Sequence, residues 1–296
     1  MTTTAEWMLD AVDNHGGDYD PRLYQAHGEA PTVPGPLGAL TADDWAQYRR
    51  DGYVAVRDVL SPAQIDEAVA GIDALISGSA PDFRGIQWEG GVRERLPQMG
   101  LAERRDSVRK LVYYVEHDRR LYDIAHRPDI LAFVAQVLGA EPELFADQAL
   151  LKPAGGGREK PWHQDKAYFD IRPGTPVVGL WIALDDTDVD NGCMHVIPGS
   201  HTTGPVVHFN RRDFQICDTD VRRDEVLSVP LHAGGCLVFD GLLHHGTPAN
   251  RSNRRRWALQ LHYAPAEAIW RTKEERAEYK ARRLDLFGAD GKDVTC

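Results

Sequence analysis

Residues 161–169 read "PWHQDKAYF", and the fold turns on how this stretch is understood. Taken as an extended strand it puts His163 and Asp165 on one face, α-carbons about 7 Å apart, because side chains alternate across a strand. Such a pair can close on one metal ion from one side, and it can equally be a hydrogen-bonded couple in a core. The flexible run "PAGGGREKP" leads into it and aromatics surround it. From residue 142 onward the chain continues as short apolar segments, near 144–152, 161–169, 177–184, 193–197, 226–230, 235–243 and 255–263. The intervening "RPGTP", "DNG", "PGSH", "AGG" and "PANRSN" carry turn chemistry. Short strands punctuated in this way predict a mainly β fold, a barrel or double-sheet jelly roll.

Helices come before the strands. Thr41 is placed to cap a short helix with Asp43 and Asp44 in its first turn, and "DGYVAVRDVL" follows as a strand. In "SPAQIDEAVAGIDALI" Ser61 caps, Pro62 opens, and Ile65, Val69, Ile72 and Ile76 recur at helical spacing. "PDILAFVAQVLG" predicts a helix from Pro128 that stops at Gly139. Residues 1–37 lack periodicity and read as an arm or loosely packed extension. Residues 38–265 form the β domain with its supporting helices, and 266–296 add a C-terminal helix and tail to the same domain. The amphipathic stretch "TKEERAEYKARRLDL" is that helix.

Composition narrows the partners. The 296 residues carry a formal charge of −11, which disfavours a nucleic-acid backbone, since affinity there needs clustered Lys and Arg. No run approaches the ~20 apolar residues of a membrane helix. The first twenty residues lack a basic region ahead of an apolar one, so no signal peptide is expected. Cys193, Cys217, Cys236 and Cys296 show no C-x-x-C spacing and read as reduced thiols of a cytoplasmic protein.

Parity points to a cavity. In "VVGLWIAL" Gly179, Trp181 and Ala183 share one face; in "RWALQLHY" Arg256, Ala258, Gln260 and His262 do. These small or polar faces should line a pocket, and the opposite faces, with Leu180, Ile182, Leu259 and Leu261, should lie under helices. A metal at His163 and Asp165 needs a third ligand, since two histidines and one carboxylate leave three positions open. "GGCLVFDGLLHHGTPAN" offers His244 and His245 on opposite faces, and alternation does not choose between them. Arg256, facing inward beside Ala258, calls for a buried anion.

The H-x-D preceded by Trp162, the "NGC" and "PGSH" segment, and "HHGTPANRSNRRRWALQLHY" together resemble the phytanoyl-CoA dioxygenase family, over roughly residues 40 to 265. The resemblance implies a double-stranded β-helix, cupin-like core, with iron(II), 2-oxoglutarate and O2 as cofactor and cosubstrates. It implies His163, Asp165 and His245 as iron ligands, and Arg256 and Thr247 as the grip on the far carboxylate of 2-oxoglutarate. Lys110, in "SVRKLVYYV", is similar to the family's upstream basic contact, Trp181 to a pocket-lining aromatic, and Lys152 and Pro153 to a structural "KP" element. Gln148 is a candidate hydrogen-bond partner for cosubstrate or iron-bound water. Some relatives that halogenate carry a small residue at the carboxylate position, so Asp165 favours hydroxylation of a C–H bond with release of succinate and CO2. Desaturation or cyclisation starts from the same oxidant.

Two other readings remain open on sequence: a zinc hydrolase with the same three ligands, which leaves Arg256 unexplained, and a non-catalytic jelly roll that binds a small molecule. The substrate is expected to be a small molecule, a secondary-metabolite intermediate or an acyl-CoA; an acidic chain sits poorly with the phosphates of CoA. Specificity is expected in loops: Tyr168, Phe169, Phe209, Arg211, Arg212 and Phe214 as contacts, and Gln87 and Trp88 as a lid. The sequence does not settle whether the chain forms a homo-oligomer.

Overall fold

A computed structural model describes residues 17–89, 92, 94–288 and 296 of the chain. Five helices precede the β-rich part: α1 (Ala42–Asp51), α2 (Pro62–Ser77), α3 (Leu101–Ser107), α4 (Arg119–Ala125) and α5 (Pro128–Leu138). The Thr41 hydroxyl accepts from the Asp44 amide while the Asp44 carboxylate takes the Thr41 N–H, and Gly52 ends the helix at φ 80°. Ser61 and Gln64 make the same reciprocal cap on α2, with Pro62 in its first turn. A last helix, α6, spans Lys273–Phe287 and is capped by Thr272.

The strands are β1 (Thr32–Val33), β2 (Tyr53–Val56), β3 (Ile86–Trp88), β4 (Val108–Val112), β5 (Pro142–Lys152), β6 (Lys160–His163), β7 (Val178–Ala183), β8 (Met194–Val196), β9 (His208–Asn210), β10 (Phe214–Ile216), β11 (Leu227–Val229), β12 (Cys236–Asp240), β13 (His245–Thr247) and β14 (Arg256–Pro265). Eight of them form one sheet in the order β1-β2-β12-β7-β14-β5-β4-β3, and four form a smaller one, β11-β8-β13-β6. β9 and β10 pair separately. This is a double-sheet jelly roll with helices on one outer face.

The parity expected from sequence sorts the two cores. Leu180, Ile182, Leu259, Leu261 and Trp257 pack with Ile72, Leu75, Phe133 and Val134 from the helices. Trp181, Ala183 and Ala258 face the other way and meet Met194 and Val196 from the smaller sheet and Leu243 from the turn before β13. Each of the larger aliphatic side chains gains roughly 1.5–3 kcal/mol by leaving water, so the alternation fixes which face becomes the cavity.

Three expectations are corrected. Residues 161–169 are not one strand: β6 ends at His163, and Asp165–Tyr168 form a 3-10 turn. The reason lies at Gln164, whose N–H is taken by His208 Nε2 at 2.9 Å and whose side-chain amide donates to the carbonyls of Gly204 and Leu242, so the ladder cannot continue. Cys217 and Cys296 are not free thiols but a disulfide with α-carbons 5.5 Å apart, while Cys193 and Cys236 are free and buried. The described part of the N-terminal extension is packed, not loose. Leu23 and Tyr24 are buried, Tyr24 stacks on Trp162 with ring centroids 5.6 Å apart, and the Trp162 indole N–H donates to the Leu23 carbonyl at 3.0 Å. Among the described residues no helix is long and apolar enough to cross a membrane.

Candidate metal centre

The smaller sheet builds the centre. β6 and β13 run antiparallel with His163 and His245 directly opposite, and their ring centroids lie 4.2 Å apart. Gly246 lets the strands close: a Cβ there would sit 3.0 Å from the Lys160 carbonyl oxygen and 3.1 Å from the Tyr24 hydroxyl. Behind His245 lies the Phe239 ring at 4.8 Å, and Phe239 itself fits only because Gly179 beneath it has no side chain. The turn after β6 then swings Asp165 toward both imidazoles. Its Oδ1 stands 3.2 Å from His163 Nε2 and 3.5 Å from His245 Nε2. The three ligand atoms lie within 4.8 Å of one another, and all three residues are buried.

Hydrogen bonds assign the protons. His163 Nδ1 is 2.7 Å from the Pro161 carbonyl and His245 Nδ1 is 2.9 Å from the Leu243 carbonyl, so each Nδ1–H donates outward and each Nε2 lone pair points into the centre. Burial and the adjacent His245 push His163 down to about 4, which keeps its imidazole neutral. For Asp165, burial pushes the carboxyl up, but His245, His262 and His163 outweigh it and hold it well below the usual carboxylate range. Two neutral nitrogens and one carboxylate oxygen on one side of a cavity are the donor set of a divalent first-row metal with open positions. The spacing fits: ligands bound at about 2.1 Å and at right angles lie roughly 3 Å apart.

The other carboxylate oxygen is held by β14. Asp165 Oδ2 is 2.7 Å from His262 Nε2 and 2.8 Å from Gln260 Nε2. A proton on His262 Nε2 serves the shorter contact to Asp165, giving the opposite tautomer to the two ligand histidines, and Gln260 Nε2, 3.0 Å from the same nitrogen, then donates to Asp165 alone. His262 is fully buried, and its Nδ1 has no partner among the described residues. The sequence reading placed Gln260 and His262 on the cavity face without giving them a role. Their shared parity with Arg256 was the available signal.

Along β14 and β5 the same cavity ends on cations. Arg256 pairs in register with Lys152. Arg256 is 1 % exposed, its Nε and Nη1 have no hydrogen-bond partner among the described residues, and its guanidinium lies over the Trp181 ring at 5.3 Å. Burial pushes it down to about 10. Lys152, read from sequence as structural, donates to the Thr247 hydroxyl at 2.8 Å and to the Pro248 carbonyl, both uncharged. Burial, and then Arg256, hold it well below the ordinary lysine range. Because the Thr247 oxygen already accepts from Lys152, its own O–H is left to donate into the cavity. An unpaired buried guanidinium is costly, and a carboxylate is its natural complement.

The remaining candidates divide. Lys110 lines the cavity and donates to Gln148 at 3.2 Å; burial, Lys160 and Arg109 push it down to about 7. Tyr168 and Phe169 line the cavity beside His163, whereas Phe214 packs behind Tyr168 and Trp181 is core beneath Arg256. Trp88 forms no lid: it lies on β3, packed against the helix-side core, because β3 pairs with β4 and Gln87 opposes Lys110. Arg212 is unavailable to an acidic substrate, being buried on Glu159 and Asp218, both at 2.7 Å. Arg211 is half-exposed and bonds the Cys296 carbonyl, and Phe209 lies on β9 outside the cavity lining. His244, the alternative third ligand, is not part of the ligand group, and neither of its ring nitrogens has a partner among the described residues.

Comparison with known proteins agrees with this geometry. The family description "Phytanoyl-CoA dioxygenase" matches residues 48–258. The peroxisomal phytanoyl-CoA dioxygenase of Bos taurus is 27% identical over 278 residues, covering 84% of this chain and 77% of that protein. Two solved structures share the fold. The non-heme alpha ketoglutarate dependent carbocyclase SnoK from nogalamycin biosynthesis has a TM-score of 0.64 at 22% identity, covering 81% of this chain and 89% of that one. EctD from S. alaskensis with 2-oxoglutarate and 5-hydroxyectoine has a TM-score of 0.64 at 20% identity, covering 85% and 83%. With the ligand triad and the buried arginine in place, the chain belongs to the phytanoyl-CoA dioxygenase family of iron(II)- and 2-oxoglutarate-dependent oxygenases.

Proposed function

We propose that this protein hydroxylates an unactivated C–H bond of a small-molecule metabolite, with iron(II) as cofactor and 2-oxoglutarate and O2 as cosubstrates. The observation that carries this reading is the pairing of a His163–Asp165–His245 face with the buried guanidinium of Arg256 in one cavity, two of its nitrogens having no hydrogen-bond partner among the described residues. A hydrolytic zinc site would have no use for that arginine. His163, Asp165 and His245 would hold the iron; Arg256, Thr247 and Lys152 would hold the far carboxylate of 2-oxoglutarate, with Lys110 beside it. Bound there, iron(II), O2 and 2-oxoglutarate supply the oxidising power: one oxygen atom goes to the C–H carbon, the other to succinate, and CO2 leaves.

What the chain itself does is hold and exclude. The backbone carbonyls of Pro161 and Leu243 fix the two imidazoles, and Gln260 and His262 leave only one oxygen of Asp165 facing the centre. A carboxylate at residue 165 also fills the position a halide would need, which favours oxygen transfer. Burial of the whole set keeps bulk water away. One solved neighbour is a carbocyclase and another holds 5-hydroxyectoine, so the fold serves more than one outcome; Asp165 weighs against halogenation, and hydroxylation is the outcome proposed among those that remain.

The test is iron-dependent release of succinate from 2-oxoglutarate under O2, with Arg256→Ala in parallel. Succinate release that needs iron and collapses in the variant is the expected result. No succinate from the iron-loaded protein, or unchanged 2-oxoglutarate affinity in Arg256→Ala, would sink the reading.

A further inference from the structure

The cavity around the metal ligands and Arg256 is small, about 110 Å³. Sites that enclose a small molecule commonly run about 300–1,000 Å³, so this space suits the cosubstrate and leaves the primary substrate without a seat. A second cavity, about 310 Å³, reaches that size. Its place follows from strand register. Inner positions on β14 and β5 pair as Arg256 with Lys152, Ala258 with Leu150, Gln260 with Gln148, and His262 with Ala146. The first cavity is lined by Arg256, Lys152, Leu150, Gln260 and Gln148 from the earlier pairs, and Ala146 lines the second. The two meet at Tyr168 and Phe169, which line both. The anion end, the ligand triad and the second cavity therefore follow one another along the strands.

The walls of the second cavity are aromatic and aliphatic: Tyr113, Phe145, Phe169, Ile171, Ile269 and Trp270. Phe145 and Phe169 meet edge to face at 4.9 Å. Its cations are already paired. Arg271 bonds both oxygens of Glu143, at 2.8 and 2.6 Å, and Arg276 lies 3.5 Å from Asp170 and over the Trp270 ring at 4.9 Å. Such a site gains by burying uncharged rings and offers nothing to a polyphosphate.

We infer that this second cavity seats the body of the primary substrate, and that the substrate is an uncharged, ring-containing apolar molecule whose reacting end meets the metal centre between Tyr168 and Phe169. This rests on the oxygenase reading, naming the substrate class for the same centre. An acyl-CoA is the class it excludes.

The probe is 9-anthracenemethanol, titrated by fluorescence into protein loaded with Mn(II), with octanoyl-CoA as the competing chemistry. One-to-one binding of the probe is expected, with and without 2-oxoglutarate. Ala146→Leu, which fills the cavity, and Trp270→Ala, which removes a partly exposed wall, should each weaken it at least tenfold. Mn(II) and 2-oxoglutarate affinities should stay within twofold in both variants, which also reports that they fold. The proposal is overturned if the probe does not bind, if 2-oxoglutarate displaces it, if neither folded variant weakens it, or if octanoyl-CoA binds more tightly. Failure of Mn(II) or 2-oxoglutarate to bind the unaltered protein would instead defeat the oxygenase reading, whatever the probe does.

Discussion

The two ends of the first cavity treat buried polar atoms in opposite ways. At the metal end the protein itself supplies the partners: carbonyls for both Nδ1–H groups, and Gln260 and His262 for the outer oxygen of Asp165. At the other end Arg256 keeps two nitrogens without a hydrogen-bond partner among the described residues, and Lys152 donates to uncharged ones. The first end is finished in everything except a cation; the second is short of an anion. Pre-paired ligands bind in a fixed geometry, whereas an unsatisfied guanidinium holds free energy that is released only when the counter-ion arrives.

The largest effect should come from breaking the metal end. Asp165→Ala removes a ligand and the acceptor for two donors, so Mn(II) or iron(II) affinity should fall by more than about 100-fold, beyond what loss of a supporting group does. Calorimetric titration of metal measures it. At the anion end, Arg256→Ala should weaken 2-oxoglutarate on the order of 100-fold at unchanged metal affinity. The same contrast predicts that Arg256→Met melts higher than the parent without ligands, because an unpaired buried cation has gone, and lower than the parent once 2-oxoglutarate and Mn(II) are present. An Arg256→Met protein that is less stable without ligands would mean that the contact of the guanidinium with the Trp181 ring outweighs its missing hydrogen bonds.

Smaller changes sharpen the contrast. His262→Ala leaves every ligand in place but frees the Asp165 oxygen, and metal affinity should drop about 10–100-fold with circular dichroism unchanged. The mildest effect is one of pH. Lys110 sits at about 7 in the unliganded protein because burial disfavours its charge. It is protonated below that and neutral above it, so binding a dicarboxylate beside it requires proton uptake at higher pH. Affinity for 2-oxoglutarate should therefore be flat below about pH 7 and fall by up to tenfold per unit above it. Lys110→Met should flatten that slope while keeping metal affinity, and any dependence that remains belongs to Lys152, which burial also holds below the ordinary lysine range.

The sequence made the architecture legible wherever period-2 alternation survived. Trp181 with Ala183, and Arg256 with Ala258, Gln260 and His262, sort to the inner face as their parity requires. It was least legible where a tertiary hydrogen bond overrode local pattern. Gln164 gives its N–H to His208, forty-four residues away, and no local pattern anticipates the turn that follows. Alternation still put Asp165 beside His163, but by way of that turn rather than a strand. His245 was separable from His244 only by likeness to a family, whereas in the fold its register opposite His163 decides the matter. Lys152 was missed for a different reason. By resemblance it belongs to a structural "KP" element, and only the closed corner formed with Thr247 and Pro248 shows its amine to be interior. Among the cysteines, a separation of 79 residues gives no spacing signal for Cys217 and Cys296.

The turn that carries Asp165 is fastened from outside the barrel. Arg283 of α6 reaches the Ala167 carbonyl at 2.9 Å and the Asp170 carboxylate at 3.0 Å, and Phe287 is buried against His208, the acceptor for Gln164. The tail of the polypeptide thus acts as a brace for a ligand it never touches. A chain cut after Pro265 would retain every donor atom of the centre and the arginine opposite, yet it should hold metal loosely, and any hunt for the minimal oxygenase unit has to carry its far end along.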